Sequence, residues 1–211
     1  MRRGPDPESR FPLENWDKLG FLKHFITAHN IEVGDYTYYD DAEHGPETFE
    51  RRNILYNFPM TKERLTIGKF CAIAAETRFM MGGHHKLDAV STYPFPVFGN
   101  GWEEAYNILE LPQKGDIVVG HDVWFGYNSL VMNGVTIGNG AIVGARSVVV
   151  KDVPAYSIVA GSPARVVKMR FEERDIERLE RIAWWNWDRE KLTRHVQLVS
   201  ALDIDRLEEM L

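Results

Sequence analysis

The sequence holds a single cysteine, Cys71, in 211 residues, which excludes an intrachain disulfide and a thiolate-rich metal site. No apolar run approaches the length of a membrane span, and the opening MRRGPDPESRFP is charged and proline-bearing, with no apolar signal segment. A cytoplasmic protein that enters no membrane is the expectation. Positive charge is also short. Twenty-five Lys and Arg stand against 31 Asp and Glu, a net charge of −6, which argues against a nucleic-acid or anionic-membrane partner. With 44% hydrophobic residues, material for the core of one domain plus an appendage is ample.

The middle of the chain lacks helical periodicity, and a period of six stands in its place. From Val119 to Pro154 it reads VGHDVW, FGYNSL, VMNGVT, IGNGAI, VGARSV, VVKDVP. A bulky apolar residue opens each six (Val119, Phe125, Val131, Ile137, Val143, Val149), and Val, Ser or Ala holds each fifth place. A helix of 3.6 residues per turn would carry the apolar position around its cylinder, and a flat strand of period two does not explain the recurrent second-place Gly. A chain that turns a corner every six residues does. The large residue then points into a narrow interior, the small one shares it, and Gly is expected to supply backbone freedom at the bend. Repeats of this length predict a parallel β-helix. Cys71, in a fifth place, reads as a buried filler.

Three earlier sixes run from Ile67 to His84, and Val33 to Tyr38 makes an isolated opening one. Forty residues separate Phe79 from Val119, which is not a multiple of six, so a loop leaves the coil there. That loop carries Pro94, Pro96 and Pro112, the GNG turn at 99–101, and Tyr93, Phe95, Phe98, Trp102 and Tyr106, an aromatic load that needs a surface to cover it. Upstream, Trp16, Leu19, Phe21, Leu22, Phe25 and Ile26 recur at roughly helical spacing, which predicts a short helix in an arm that closes the open end of the coil. Downstream, Ile176, Leu179, Ile182 and Ala183 predict an amphipathic helix, WWNW at 184–187 breaks it, and one or two short helices follow. The expected organisation is an N-terminal arm and short helix (1–30), a β-helix (31–168) with an excursion loop at about 84–116, and a C-terminal α-helical cap (169–211).

Histidine is the side chain poised to exchange protons near neutral pH, and seven are present. His24, His29, His44 and His195 have no supporting pattern. His84 and His85 stand where the coil gives way to the loop, and His121 stands at a hexad corner. On extended backbone His84 and His85 project to opposite faces, so one general base is expected rather than a pair. A metal held by His84, His85 and His121 is the rival, but adjacent histidines converge poorly and no further ligand is evident; no metal is expected.

The residues VGDYTYYD (33–40), LTIGKFCAI (65–73), HHKLDAVSTYPF (84–95), FGNGWE (98–103), KGDIVVGHDVWFG (114–126), VKDVPAYSIVAGSPARVVKMRF (150–171) and WWNW resemble the xenobiotic acetyltransferase branch of the left-handed β-helix, hexapeptide-repeat acyltransferases. STYPF, FGNGWE, DVWFG and WWNW lean toward the streptogramin A acetyltransferases over the type B chloramphenicol acetyltransferases. The resemblance implies a mainly β fold and acetyl transfer from acetyl-CoA to a hydroxyl in one ternary complex. It maps a family motif similar to N-H-R-M-D onto HHKLD, making His85 the base, with His84 where Asn is usual and His84 itself the alternative. Trp124 matches the family's functional tryptophan. The pantetheine arm would run along Gly126, Gly144, Ala145 and Ala160, with Lys151, Arg165 and Lys168 as candidates for the CoA phosphates. The acceptor pocket would draw on Tyr36, Tyr38, Tyr39, Leu109, Leu111 and Pro112. The resemblance also implies a homotrimer with active sites between subunits.

Overall fold

The computed structural model describes residues 4–211. Its strands form three sheets, parallel except for one strand at each edge of the second, that are the faces of a triangular prism. The first face stacks 31–33, 65–67, 117–119 and 136–137. A second stacks 38–40, 72–74, 124–125, 142–143 and 157–161. On the third lie 54–55, 78–80, 130–131 and 148–149. Val119 pairs with Ile137, Phe125 with Val143 and Val131 with Val149, each 18 residues on, so three sixes make one coil. This is a left-handed parallel β-helix.

Side-chain size sets the stacking. The residues that open the sixes form three interior columns, such as Ile73, Phe125, Val143 and Val159, all buried. The fifth-place residues Val123, Ser129, Val135, Ala141 and Ser147 are buried beside them. Where that residue is polar or a thiol, it bonds along the stack: Thr37 Oγ1 donates to the Gly68 carbonyl (2.6 Å), Cys71 Sγ to that of Gly120 (3.2 Å), and the Gly161 amide to Ser147 Oγ (3.2 Å). Burial pushes the Cys71 thiol up to about 12.

The bend works differently from the expectation for second-place Gly. Gly120 and Gly126 do not have positive φ; the left-handed residue is the fourth of the first five sixes, namely Asp122, Asn128, Gly134, Gly140 and Arg146. Gly is needed in second place because coils meet there. A Cβ on Gly126 would lie 2.6 Å from the Ala145 nitrogen, and one on Gly120 2.5 Å from Asn139 Oδ1. The requirement is space rather than backbone freedom.

Three excursions interrupt the winding. Residues 41–53 leave the corner between the second and third faces and carry α1 (Phe49–Asn53), whose Phe49 enters the core against Tyr39 and Phe79, 5.0 and 6.4 Å between centroids. Residues 56–64 and 81–116 both leave the corner between the third and first faces, one coil apart, so their loops stack. The predicted N-terminal helix is instead a strand, Leu19–Phe21, antiparallel to Tyr38–Asp40, followed by one 3₁₀ turn at Leu22–His24. The open edge of the second face offers backbone partners that a helix would not use.

At the other end, Ala164–Met169 pairs antiparallel with Ser157–Gly161. Helices α2 (Glu173–Ile182), α3 (Arg189–Val199) and α4 (Ile204–Glu208) follow. Ala183, at φ 42°, ends α2 and turns the chain so that Trp184 packs on Phe70 and Trp185 on His121, at 4.9 and 5.3 Å. Arg178 ties α2 to α4 through Asp205 and Glu208. No helix among the described residues is long and apolar enough to cross a membrane.

Candidate functional site

Where the coil lapses after Met80, the chain reaches His84 and His85, and the structure separates their roles. His84 is half-buried, with Nε2 2.6 Å from Asn133 Nδ2 of the coil above. That pairing anchors the base of the loop. His85 is exposed, and its Nδ1 lies 2.7 Å from the Thr92 carbonyl. A carbonyl oxygen only accepts, so Nδ1 carries the hydrogen and Nε2 keeps the lone pair. Nε2 has no protein partner among the described residues. Such a ring is fixed in orientation and ready to take a proton.

A cleft of about 420 Å³ opens at His85, lined also by Lys86, Tyr106, Leu111 and Pro112. Beside it lies a smaller cavity of about 140 Å³, walled by Phe58 and Met60 of the 56–64 loop and by Ile108, Leu109 and Leu111 of the long loop. The predicted Leu109, Leu111 and Pro112 therefore gather near His85. Thr92, whose carbonyl orients the His85 ring, lies in an aperiodic stretch, and Phe58 and Met60 lie in a segment with no clean period, so neither carries a signal. Tyr106 is marked in the sequence only as part of the loop's aromatic load, and the cleft gives it a place beside His85.

Other predicted residues lie elsewhere on the prism. Tyr39 is fully buried, its hydroxyl donating to Asp41 Oδ2 (2.8 Å) and accepting from Asn53 Nδ2 (3.1 Å), so it has no surface to offer an acceptor. The alternation that puts Trp124 outward and Phe125 inward on the second face puts Tyr39, in Phe125's column, inward. Tyr36 stacks on Phe70 at a corner, 4.6 Å apart and 11° from parallel. Tyr38 shares the second face with Trp124, which is half-exposed at 54%. Gly126, Gly144, Ala145 and Ala160 line the corner that follows this face, each coil's small residue against the next. Arg165 and Lys168 are exposed on the strand that extends it, and Lys151 is exposed at the opposite corner, from which the His85 loop leaves. Within one chain, then, the His85 group and the Trp124 group occupy opposite sides of the triangle.

His121 does not converge with His84 and His85. Its Nδ1 accepts from the Lys69 amide (2.9 Å) and its ring lies under Trp185. Burial first and the Lys69 charge second hold its pKa below the ordinary imidazole value. Metal-ligating side chains do gather at Asp41, His44 and Glu76, but Arg52 and Arg78 already pair with Glu76.

A left-handed prism with a histidine-bearing loop and stacked small-residue corners defines a hexapeptide-repeat transferase. The family model described as bacterial transferase hexapeptide (six repeats) matches residues 116–151. A probable macrolide acetyltransferase of Lysinibacillus sphaericus is 45% identical over 163 residues, 76% of this chain and 90% of that protein. Virginiamycin A acetyltransferase of Staphylococcus aureus is 42% identical over 206 residues, 97% of this chain and 92% of that protein. A chloramphenicol acetyltransferase of Klebsiella aerogenes is 38% identical over 179 residues, 83% and 84% of the two chains. The chain belongs to the xenobiotic acetyltransferases of the hexapeptide-repeat family, and it is an acetyltransferase.

Proposed function

We propose that this enzyme moves an acetyl group from acetyl-CoA to a hydroxyl of a group A streptogramin, inactivating the antibiotic. The observation that carries the chemistry is the His85 ring, held by Thr92 in the tautomer whose exposed Nε2 accepts. Similarity along nearly the whole chain to virginiamycin A acetyltransferase supports the acceptor. Nε2 takes the hydroxyl proton as the oxygen attacks the thioester carbonyl. The tetrahedral intermediate then expels the CoA sulfur, and the proton passes from the imidazolium to that sulfur. Transfer is direct, because Cys71, the one thiol, is sealed in the core.

Acetyl-CoA is a substrate here, and the residues present suit it. The small-residue corner at Gly126, Gly144, Ala145 and Ala160 presents backbone to a thin polar arm, and Lys151, Arg165 and Lys168 are exposed cations for phosphates. Apart from Lys151, which stands at the corner the His85 loop leaves, these residues and Trp124 face away from His85 in one chain. A threefold homotrimer, with the loop corner of one subunit against the second face of the next, joins them into a site shared by two chains. In sedimentation the active species should be a trimer, and turnover by a monomer defeats the assembly. The cytoplasm, where acetyl-CoA is made, is the expected location, and cell fractionation checks it.

The acceptor is tested by free-thiol release from acetyl-CoA with a group A streptogramin, chloramphenicol and a macrolide in turn. Release with the streptogramin is the expected result. Release with chloramphenicol or the macrolide alone would favour a second reading, for which the 38% and 45% similarities speak. No release with any of the three overturns the proposal.

A further inference from the structure

The small cavity beside the His85 cleft has apolar walls in Phe58, Met60, Leu109 and Leu111, and among them stands one acid, Glu63. Its side chain is only 4% exposed, and its Oε1 is buried with no hydrogen-bond partner. His84 Nε2 is 4.0 Å away, beyond hydrogen-bond reach, and is already engaged with Asn133 at 2.6 Å. Asn30 Nδ2 donates to the Glu63 carbonyl (2.9 Å), so the main chain is fixed while Oε1 is left without a hydrogen bond. A buried acceptor without a donor weakens a fold, and one retained beside an active cleft calls for an explanation outside the fold itself.

We infer that Glu63 reads the acceptor: its carboxylate receives a hydrogen-bond donor, a hydroxyl, an amide N–H or a protonated amine, on the branch of the substrate that enters the small cavity. The inference rests on His85 serving as the base for O-acetylation, because the two cavities share His84 and Leu111 and one acceptor would span both. The apolar walls take the carbon skeleton of the branch, and Glu63 completes the only polar demand it brings. An acceptor whose branch is wholly apolar leaves the acid unpaired and is discriminated against, as sites built to bond a donor reject analogues that lack it. Glu63 is thus a specificity residue that does not touch the transferred acetyl group.

The test compares the wild type with Glu63→Met and Glu63→Gln, using acetyl-CoA and whichever of the three antibiotics the wild type turns over fastest. In Glu63→Met the acceptor KM should rise roughly tenfold, with kcat and the acetyl-CoA KM within about twofold of wild type, as for a lost substrate hydrogen bond. The same variant should have a higher Tm, because an unpaired buried acceptor has been replaced by apolar atoms of similar length. Glu63→Gln retains an acceptor oxygen and should fall between the two. An acceptor KM raised by less than about threefold in Glu63→Met overturns the inference, and so does a raised KM accompanied by a lower Tm, the mark of a structural role. If the wild type acetylates none of the acceptors, the O-acetylation reading fails and takes this one with it. A wild type that is active and a Met variant that is indifferent overturn the Glu63 assignment alone.

Discussion

His85→Ala is expected to lower kcat by about 10²- to 10⁴-fold, the usual contribution of a positioned general base, while the KM for acetyl-CoA and the unfolding midpoint stay close to wild type. The fold should not register the change, because the ring is exposed and its one bond is to the Thr92 carbonyl within the same loop. His84 makes the control. Its ring is held by Asn133, so His84→Asn, which installs the residue the related motif carries, should keep most of the activity. Steady-state kinetics on the two variants separate the neighbours. A His85→Ala enzyme with more than a tenth of wild-type kcat, or a His84→Asn enzyme as dead as His85→Ala, would remove His85 from the role.

The coil itself was legible because its physics is local and repeated. A large residue at the opening of each six and a small one in fifth place can be read directly from the order of residues, and both sets are buried as expected. The same repetition misled over glycine. Sequence shows where Gly recurs, but only stacked coils show that the second place is crowded by the Ala145 backbone while the left-handed bend falls on Asp122 or Asn128. Tyr39 failed for a related reason: in YTYYD three tyrosines look alike until pairing with Ile73 and Phe125 sets which one points inward. Around His85 the loop position followed from the broken period, whereas Thr92, Glu63 and Asn133 did not. Those contacts join segments 7, 21 and 49 residues from their partners through tertiary packing, with no periodicity to announce them.

Phe125→Ala should cost roughly 3–5 kcal/mol of stability, read as a lower midpoint in guanidinium unfolding. Phe125 is fully buried, and its ring meets Phe79 edge-on at 5.4 Å; Phe79 in turn lies 6.4 Å from Phe49 of α1. Truncation therefore removes one end of a buried aromatic stack, and the flat strands around it cannot collapse far without breaking their ladders to Ala72–Ala74 and Ile142–Val143. Because each coil contacts only its neighbours, a void at this level also uncouples the coils carrying α1 and the His85 loop from those that carry the cap. The next residue back supplies the contrast. Trp124 is larger but points outward, so Trp124→Ala in the isolated chain should cost under about 1 kcal/mol, with its effect falling on activity and assembly instead. A loss under 1 kcal/mol at Phe125, or the larger loss at Trp124, would mean that the alternation along this strand is inverted, and every residue placed on the second face would have to be reassigned to the other side.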